Sequence, residues 1–250
     1  MSLLRRFDRV EIKVKIKRYD PLQAESYFQE FSVNEPETAS VSSILTKLNE
    51  REPLFDTEGR KAKKIDWECS CSQKMCGACA MIINGVPGLA CAAFLKDFFK
   101  EEQKNPVLQL EPLSKFPVVR DLRVNRSQMY QDMKKMKIWL NNSAIVSEKE
   151  SEAQYESAGC IMCGCCLEVC TNYSLENTFV GAAVMNGAYR VATQQKQGSN
   201  RKQFIKENVK NGQGHCSKSL SCEKVCPVNI PIGALTSKMN RLYIKGLFFK

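Results

Sequence analysis

The sequence has a single histidine and two tryptophans among its 250 residues, and it lacks a long apolar run. The longest candidate, Phe179 to Ala192, is interrupted by Asn186 and Arg190, so it falls short of the ~18 apolar residues of a membrane-spanning helix. Dinucleotide-binding and phosphate-binding glycine motifs are missing, as is a candidate catalytic triad. Met1 to Lys17 lacks the apolar core of a secretory signal. We therefore expect a chain that does not itself cross a membrane and holds no complete active site.

Cysteine, by contrast, is abundant, with thirteen residues in the chain. The odd number, the tight C-x2-C spacings and the lack of a signal peptide argue against a disulfide framework and for metal bound in a reducing compartment. Structural zinc, which C-x2-C pairs also bind, is the competing interpretation. The formal charge is +10, but the basic residues are spread along the chain without a nucleic-acid-binding motif, so we expect no nucleic-acid partner.

One group of cysteines has the spacing C-x2-C-x2-C-x3-C, and its members are Cys160, Cys163, Cys166 and Cys170. Two-cluster bacterial ferredoxins use this spacing, in which the first three cysteines hold one cluster and the fourth ligates the other. A second run must then supply the missing ligands, and one lies further along the chain. The pattern predicts a [4Fe-4S] cluster with the ligands Cys160, Cys163, Cys166 and, from the second run, Cys226.

The second run, Cys216-x5-Cys222-x3-Cys226, has Ser219 where the pattern expects a cysteine. The other cluster is therefore left with three thiolates, which are Cys170, Cys216 and Cys222. Three thiolates suit a [3Fe-4S] cluster. Completion of a four-iron cluster by the serine alkoxide is the disfavoured alternative, because an alcohol gives up its proton far less readily than a thiol and is a harder ligand.

A third group has the C-x4-C-x2-C-x11-C spacing of plant-type [2Fe-2S] proteins, and its members are Cys71, Cys76, Cys79 and Cys91. Three thiolates from one loop surround two irons only if the backbone turns tightly and points its N–H groups at the sulfurs, which Gly77 allows. Ala80 to Ile83 and the Asn84-Gly85 turn predict a hairpin whose return strand delivers Cys91.

Cys69 and Cys165 are off-register, and we interpret them as thiols that do not bind iron.

Apolar and charged residues alternate in Val10 to Ile16, which predicts a strand, and Tyr27 to Val33 predicts its partner. An amphipathic helix capped by Ser40 follows, and Val107 to Leu110 is predicted as the last strand. Beyond a proline-marked connection that ends near residue 125, the periodicity becomes helical. The predicted fold class is α+β, with an N-terminal β-grasp [2Fe-2S] ferredoxin-like domain over residues 1–105 and an α-helical two-cluster ferredoxin domain over residues 106–250.

Within the second domain, helices are predicted from Met129 to Leu140, with Ser127 as a cap, and from Phe179 to Val191. A polar, exposed helix is expected between residues 198 and 214, and a last helix begins at Pro231. A chain with three clusters and no substrate site is expected to be a subunit that conducts electrons between partner chains. The domain order places the [2Fe-2S] cluster at one end of this path and the [3Fe-4S] cluster at the other.

With these three motifs in this order, the chain resembles the iron–sulfur subunits of succinate dehydrogenase and fumarate reductase, the complex II family. The resemblance covers nearly the whole chain and includes three further segments, which are Arg18-Tyr19-Asp20-Pro21, Asn84-Gly85 with Leu89-Ala90-Cys91, and Leu110-Glu111-Pro112-Leu113 with the stretch from Pro117 to Leu122.

The resemblance implies an oxidoreductase subunit that relays electrons between the FAD of a flavoprotein subunit and a quinone at a membrane anchor subunit, in succinate:quinone or quinol:fumarate chemistry. It leaves the haem b content of the anchor and the direction of the reaction open. It also implies a peripheral position on the cytoplasmic face of the cell membrane, in the tricarboxylic acid cycle or anaerobic respiration.

Some positions depart from the family pattern. Thr171 replaces a frequent proline, and no tryptophan follows it closely. Ser217 stands where some members have a histidine, whereas His215 lies one residue before Cys216. We interpret His215 as an ordinary polar residue, with proton donation to quinol as the alternative. These departures leave open a paralogous electron-transfer subunit that serves another flavoprotein or a donor other than quinone.

Overall fold

A computed structural model describes residues 9–99, 106–146 and 148–248. The chain forms two compact units, which divide between Asn125 and Arg126. Residue 105, where the domain boundary is predicted, lies outside the described residues. The segment from 106 to 125, expected as a connection, belongs to the first unit and contributes strands to it.

The strands of the first unit are β1 (Arg9–Asp20), β2 (Glu25–Pro36), β3 (Leu54–Phe55), β4 (Lys61–Ala62), β5 (Ala80–Ile83), β6 (Val86–Leu89), β7 (Val107–Glu111), β8 (Val118–Arg120) and β9 (Arg123–Val124). Five of them form one mixed sheet in the order β2-β1-β7-β5-β6. The β1–β7 pair is parallel, and the other pairs are antiparallel. This sheet confirms the predicted N-terminal ferredoxin-like domain.

The core of the first unit follows from the period-two pattern of β1. Ile12, Val14 and Ile16 are fully buried, whereas the lysines between them face outward. The helix α1 (Val41–Glu50) buries its apolar stripe in the same unit. Its first turn is capped as predicted, because the Ser40 side chain accepts a hydrogen bond of 3.1 Å from the Ser43 N–H.

The predicted hairpin is present and ends at the expected cysteine. Asn84 and Gly85 both have positive φ, at 48° and 81°, which is the backbone that a two-residue hairpin turn requires. Ile83 pairs with Val86 across this turn. Directly after β6, the Ala90 N–H donates to the Cys79 carbonyl over 3.1 Å, so the return strand brings Cys91 beside the cysteine loop.

The second unit is helical, with α2 (Ser127–Lys135), α3 (Ser151–Ala158), α4 (Cys165–Glu168), α5 (Gly181–Gln194), α6 (Ser199–Asn211), α7 (Ser221–Lys224) and α8 (Ile232–Phe248). Helix α5 is almost entirely buried and packs against α3, α6 and α8. Among the described residues, no helix is both long and apolar enough to span a bilayer.

Three sequence predictions for this unit are wrong in detail. The helix α2 ends at Lys135, and Lys137 has a φ of +55°, so Leu140 does not continue the helical face. Arg126, and not Ser127, occupies the N-cap position. In addition, α6 is not fully exposed, because it buries Phe204, Ile205 and Asn208. The helix is polar on average, but its few apolar residues lie together on the side that packs against the core.

Candidate metal centres

The loop from Cys71 to Cys79 directs backbone N–H groups at cysteine sulfurs. Gln73 and Met75 donate to Cys71 Sγ, each over 3.3 Å, and Lys74 donates to Cys91 Sγ over 3.4 Å. The loop achieves this by left-handed backbone at several positions, with φ of 53° at Ser72, 60° at Lys74 and 73° at Gly77. Both the role of Gly77 and the donation to sulfur are as the spacing predicts.

These N–H groups stabilise negative charge on sulfur. The donors from Gln73 and Met75 lower the pKa of Cys71 to about 7, so its thiolate forms easily near neutral pH. Cys79 and Cys91 are buried, and burial raises the pKa of Cys79. When a metal cation binds a buried thiol, it replaces the proton, which is released to solvent, and its charge stabilises the thiolate that burial disfavours. This pair therefore fits iron ligation. Cys69 is exposed, with its sulfur 3.4 Å from Ser72 Oγ.

A small cavity in the second unit brings together four predicted ligands, which are Cys160, Cys163, Cys166 and Cys226. The Ile230 N–H donates to Cys226 Sγ over 3.3 Å. Burial and the nearby charges of Cys163 and Cys160 raise the pKa of Cys166. Repulsion between thiolates in a buried site is relieved by a cation, so this donor set fits a cationic iron centre.

Left-handed residues and one short helix position these cysteines. Met162 and Gly164 have φ of 53° and 90°, and they turn the chain into α4, which carries Cys166. Cys165, which the sequence predicts not to bind iron, is fully buried and is not among the residues that line this cavity. A side-chain hydrogen bond with Cys165 lowers the pKa of Cys163 to about 7.

The remaining three cysteines, Cys170, Cys216 and Cys222, line a second cavity of about 280 Å³ together with Ser219. The Lys218 N–H donates to Cys216 Sγ over 3.3 Å, and both Lys218 and Leu220 adopt left-handed backbone. Burial, followed by the charges of Cys170 and Cys216, raises the pKa of Cys222. The structure thus places one cysteine of the first run among those of the second.

No three His, Cys, Asp or Glu side chains in the described ranges converge on a point that a single metal ion could occupy. A mononuclear zinc site needs all of its sulfurs about 2.3 Å from one atom. An iron–sulfur cluster spreads its cysteines over several irons, which suits thiolates arranged around a cavity. Cysteines around two cavities, with N–H groups directed at Cys216 Sγ and Cys226 Sγ, fit iron–sulfur clusters.

A larger cleft, of about 450 Å³, lies elsewhere in the second unit, between the segment that follows α2 and the start of α6. Lys137, Trp139 and Arg201 are among its lining residues, and none of the lining residues is a cysteine. Size alone therefore does not identify the metal sites. The metal sites are identified by the cysteine sulfurs and by the backbone N–H groups that donate to them.

Asn172 is a supporting residue that sequence reasoning missed. Its Nδ2 donates to the His215 carbonyl over 3.0 Å, and its Oδ1 accepts from Ser217 Oγ at 2.8 Å. It thereby ties the loop after Cys170 to the loop that carries Cys216. A polar residue shortly after a cysteine carries no signal of such a contact in a single sequence. The His215 side chain itself is exposed and does not line the cavity.

The chain has a plant-type ferredoxin sheet followed by a helical unit with two cysteine cavities. This arrangement defines a multi-cluster electron carrier. Comparison with known families agrees with this class. A 2Fe-2S iron-sulfur cluster binding domain matches residues 13–131, and a 4Fe-4S dicluster domain matches residues 156–230.

The chain belongs to the family of succinate dehydrogenase and fumarate reductase iron–sulfur subunits, and it functions as an electron-transfer subunit of such an oxidoreductase. It is 30% identical to the succinate dehydrogenase iron–sulfur subunit of Bacillus subtilis, covering 92% of this chain and 91% of that one. It is 27% identical to the fumarate reductase iron–sulfur subunit of Wolinella succinogenes, covering 92% and 96%.

The fold is also that of a chain in the Mycobacterium smegmatis Sdh1 complex. The TM-score is 0.77 at 21% identity, with 96% of this chain and 98% of that chain covered. These comparisons confirm the predicted family and the order of the two domains.

Proposed function

We propose that this chain relays single electrons between the FAD of a flavoprotein partner and a quinone at a membrane anchor, in a succinate:quinone or quinol:fumarate oxidoreductase. The curated relatives are subunits of succinate dehydrogenase and of fumarate reductase, which run the same interconversion in opposite directions. The sequence match covers relatives of both kinds almost completely, so it does not set the direction. The direction depends on the cluster and quinone potentials.

The proposed ligands follow the predicted assignment. A [2Fe-2S] cluster takes Cys71, Cys76, Cys79 and Cys91. A [4Fe-4S] cluster takes Cys160, Cys163, Cys166 and Cys226. A [3Fe-4S] cluster takes Cys170, Cys216 and Cys222. The clusters supply one-electron oxidation and reduction. The chain's own residues hold the thiolates, donate N–H groups to their sulfurs and exclude water from the buried cysteines.

The observation that carries the proposal is the exchange of cysteines between the two ferredoxin runs. Cys226 lines the cavity of Cys160, Cys163 and Cys166, and Cys170 lines the cavity of Cys216 and Cys222. In two independent zinc knuckles, each metal would bind cysteines of one run only. The exchange is the arrangement of a two-cluster ferredoxin, and Ser219 lines the cavity that holds only three cysteines.

The proposed partners are a flavoprotein subunit and a membrane anchor subunit, with the complex peripheral to the cytoplasmic face of the cell membrane. We place the [3Fe-4S] cluster nearest the anchor. Its candidate site has an apolar wall that includes Phe179, Met185 and Leu220, which suits the approach of an apolar electron acceptor.

The experiment is redox-poised EPR on the complex purified under anaerobic conditions, with mass spectrometry of the chains that accompany it. We expect a paramagnetic three-iron centre in the oxidised state, two further centres on reduction, and co-purification of a flavin-containing chain and a multi-span chain. A colourless zinc protein would overturn the proposal. Iron for a single centre only would overturn the ligand assignment. A different flavoprotein without a membrane chain would favour the paralogous function.

A further inference from the structure

Among the described residues that line the proposed [4Fe-4S] cavity, a single side chain contains a nitrogen or oxygen atom. Besides the four cysteines, the described lining residues are glycine, alanine, proline, isoleucine, valine and methionine, with one exception, Asn186. Asn186 lies on α5 and is 5% exposed. A polar group in an otherwise apolar wall is costly, so its presence beside the thiolates calls for a physical explanation.

The two ends of the Asn186 carboxamide are used differently. Its Nδ2 donates to the Ser157 carbonyl of α3 over 2.8 Å. Its Oδ1 is buried and has no hydrogen-bond partner among the described residues. Exchanging the amide nitrogen and oxygen would set two acceptors against each other at Ser157, so the hydrogen bond fixes the orientation. The carbonyl oxygen is thus the end left without a partner.

The contact between α3 and α5 has a second hydrogen bond that does not involve this carboxamide. Ser157 Oγ donates to the Asn186 backbone carbonyl over 3.0 Å. The helices are therefore joined by one bond through the Asn186 side chain and one through its backbone. The chain thus offers a matched control, because the Ser157 hydroxyl can be removed while both the Asn186 side chain and its Ser157 carbonyl partner are kept.

We propose that Asn186 sets the midpoint potential of the [4Fe-4S] cluster, with the negative end of its amide dipole left beside the centre. This inference rests on the ligand assignment of the proposed function. Reduction adds one electron to the cluster, and an unpartnered carbonyl oxygen in a buried, weakly screened site disfavours the added negative charge. Asn186 therefore lowers the midpoint potential. Asn186 acts on the charge of the cluster through its amide dipole and does not bind iron.

The test is a redox titration of the holo-complex by EPR, which follows the reduced [4Fe-4S] signal in variants at this position. Asn186→Leu replaces the carboxamide by an apolar side chain of similar size, and we expect its midpoint to lie above that of the wild type. Asn186→Asp keeps an acceptor oxygen in either protonation state, so its midpoint stays at or below the wild-type value. Ser157→Ala leaves the midpoint unchanged.

The two Asn186 variants separate electrostatics from packing. A merely structural residue would give shifts of the same sign in N186L and N186D, or none, and either result overturns the inference. Loss of the cluster from both variants, measured as iron and acid-labile sulfide, would assign Asn186 a structural role and overturn it too. If instead the wild-type complex shows no [4Fe-4S] signal, the proposed function's ligand assignment fails as well.

Discussion

Arg18 and Asp121 form a buried ion pair, with Arg18 Nε 2.9 Å from Asp121 Oδ1 and each side chain 4% exposed. The pair joins β1 to the turn between β8 and β9. The guanidinium also donates to Gln29 Oε1 at 2.8 Å and to the carbonyl of Lys64 at 3.1 Å. The second carboxylate oxygen accepts from the Asp66 N–H at 2.9 Å. The network thus holds the segment around Lys64 and Asp66, which leads into the cysteine loop.

Arg18→Met should destabilise the first unit by about 3–5 kcal/mol, because it leaves the Asp121 carboxylate buried without its partner. Urea unfolding followed by circular dichroism measures the change in the free energy of unfolding. The matched control is Lys63→Ala, which breaks the Lys63–Asp20 pair at 3.0 Å, where Lys63 is 82% exposed. That loss should be much smaller, because solvent screens an exposed pair. Equal effects of the two variants would contradict a structural role for the buried pair.

Ser219→Cys should convert the three-iron centre into a [4Fe-4S] cluster. Ser219 lines the cavity of Cys170, Cys216 and Cys222 and stands at the vacant position of the ferredoxin spacing. A thiolate there supplies a soft fourth ligand. The measurement is EPR of the oxidised protein, in which the three-iron signal should disappear. Ser217→Cys is the control, because Ser217 lines the same cavity out of register and should leave the signal in place.

Gly181→Ala should reduce the iron content of the second unit. Gly181 has a φ of +75°, and an added Cβ would lie 2.2 Å from Leu167 Cδ2, a fully buried side chain next to Cys166. Overpacking of this kind costs about 1–3 kcal/mol, and the left-handed backbone adds about 1–2 kcal/mol. Iron per chain and urea unfolding test this expectation.

The control for the Gly181 variant is Gly85→Ala. Gly85 has a similar φ of +81°, but nothing lies within 4 Å of an added Cβ. Its cost is then the backbone contribution alone, about 1–2 kcal/mol, with iron content unchanged. An equal loss of iron in both variants would show that packing against Leu167 is not the cause.

Asp56→Asn should remove a pH-dependent contribution to stability. Burial opposes ionisation of Asp56, but hydrogen bonds from Gln29 and Arg60 outweigh it and lower its pKa from 3.8 to about 2. The folded state thus holds the ionised carboxyl more tightly than the unfolded state. The contribution is fully present above pH 3.8 and is lost as the pH falls towards 2.

Urea unfolding at a series of pH values checks this expectation. The wild type should be more stable than D56N at pH 5 and above, and the difference should shrink below about pH 4. Glu58→Gln is the control, because Glu58 pairs with Arg60 at 3.0 Å but is 67% exposed. A difference between wild type and D56N that grows with acid would contradict the sign of the shift.

The sequence by itself determined the metal chemistry and the local elements of this protein. Cysteine spacing limits which sulfurs can reach one cluster, so it predicts three ligand sets. The structure gathers Cys160 and Cys226 around one cavity, as that prediction requires. The alternation in β1, the Ser40 cap and the Asn84-Gly85 turn are also local signals, because each depends on neighbours a few residues away.

Only the tertiary structure decided which distant residues meet. It placed β8 and β9 in the first unit, paired Arg18 with Asp121, tied Asn172 to the Cys216 loop and set Asn186 in the wall of a cysteine cavity. It also ended α2 before Leu140. Such contacts join residues far apart in the chain, so they are fixed by packing and burial of the whole unit and leave no periodic trace in a single sequence.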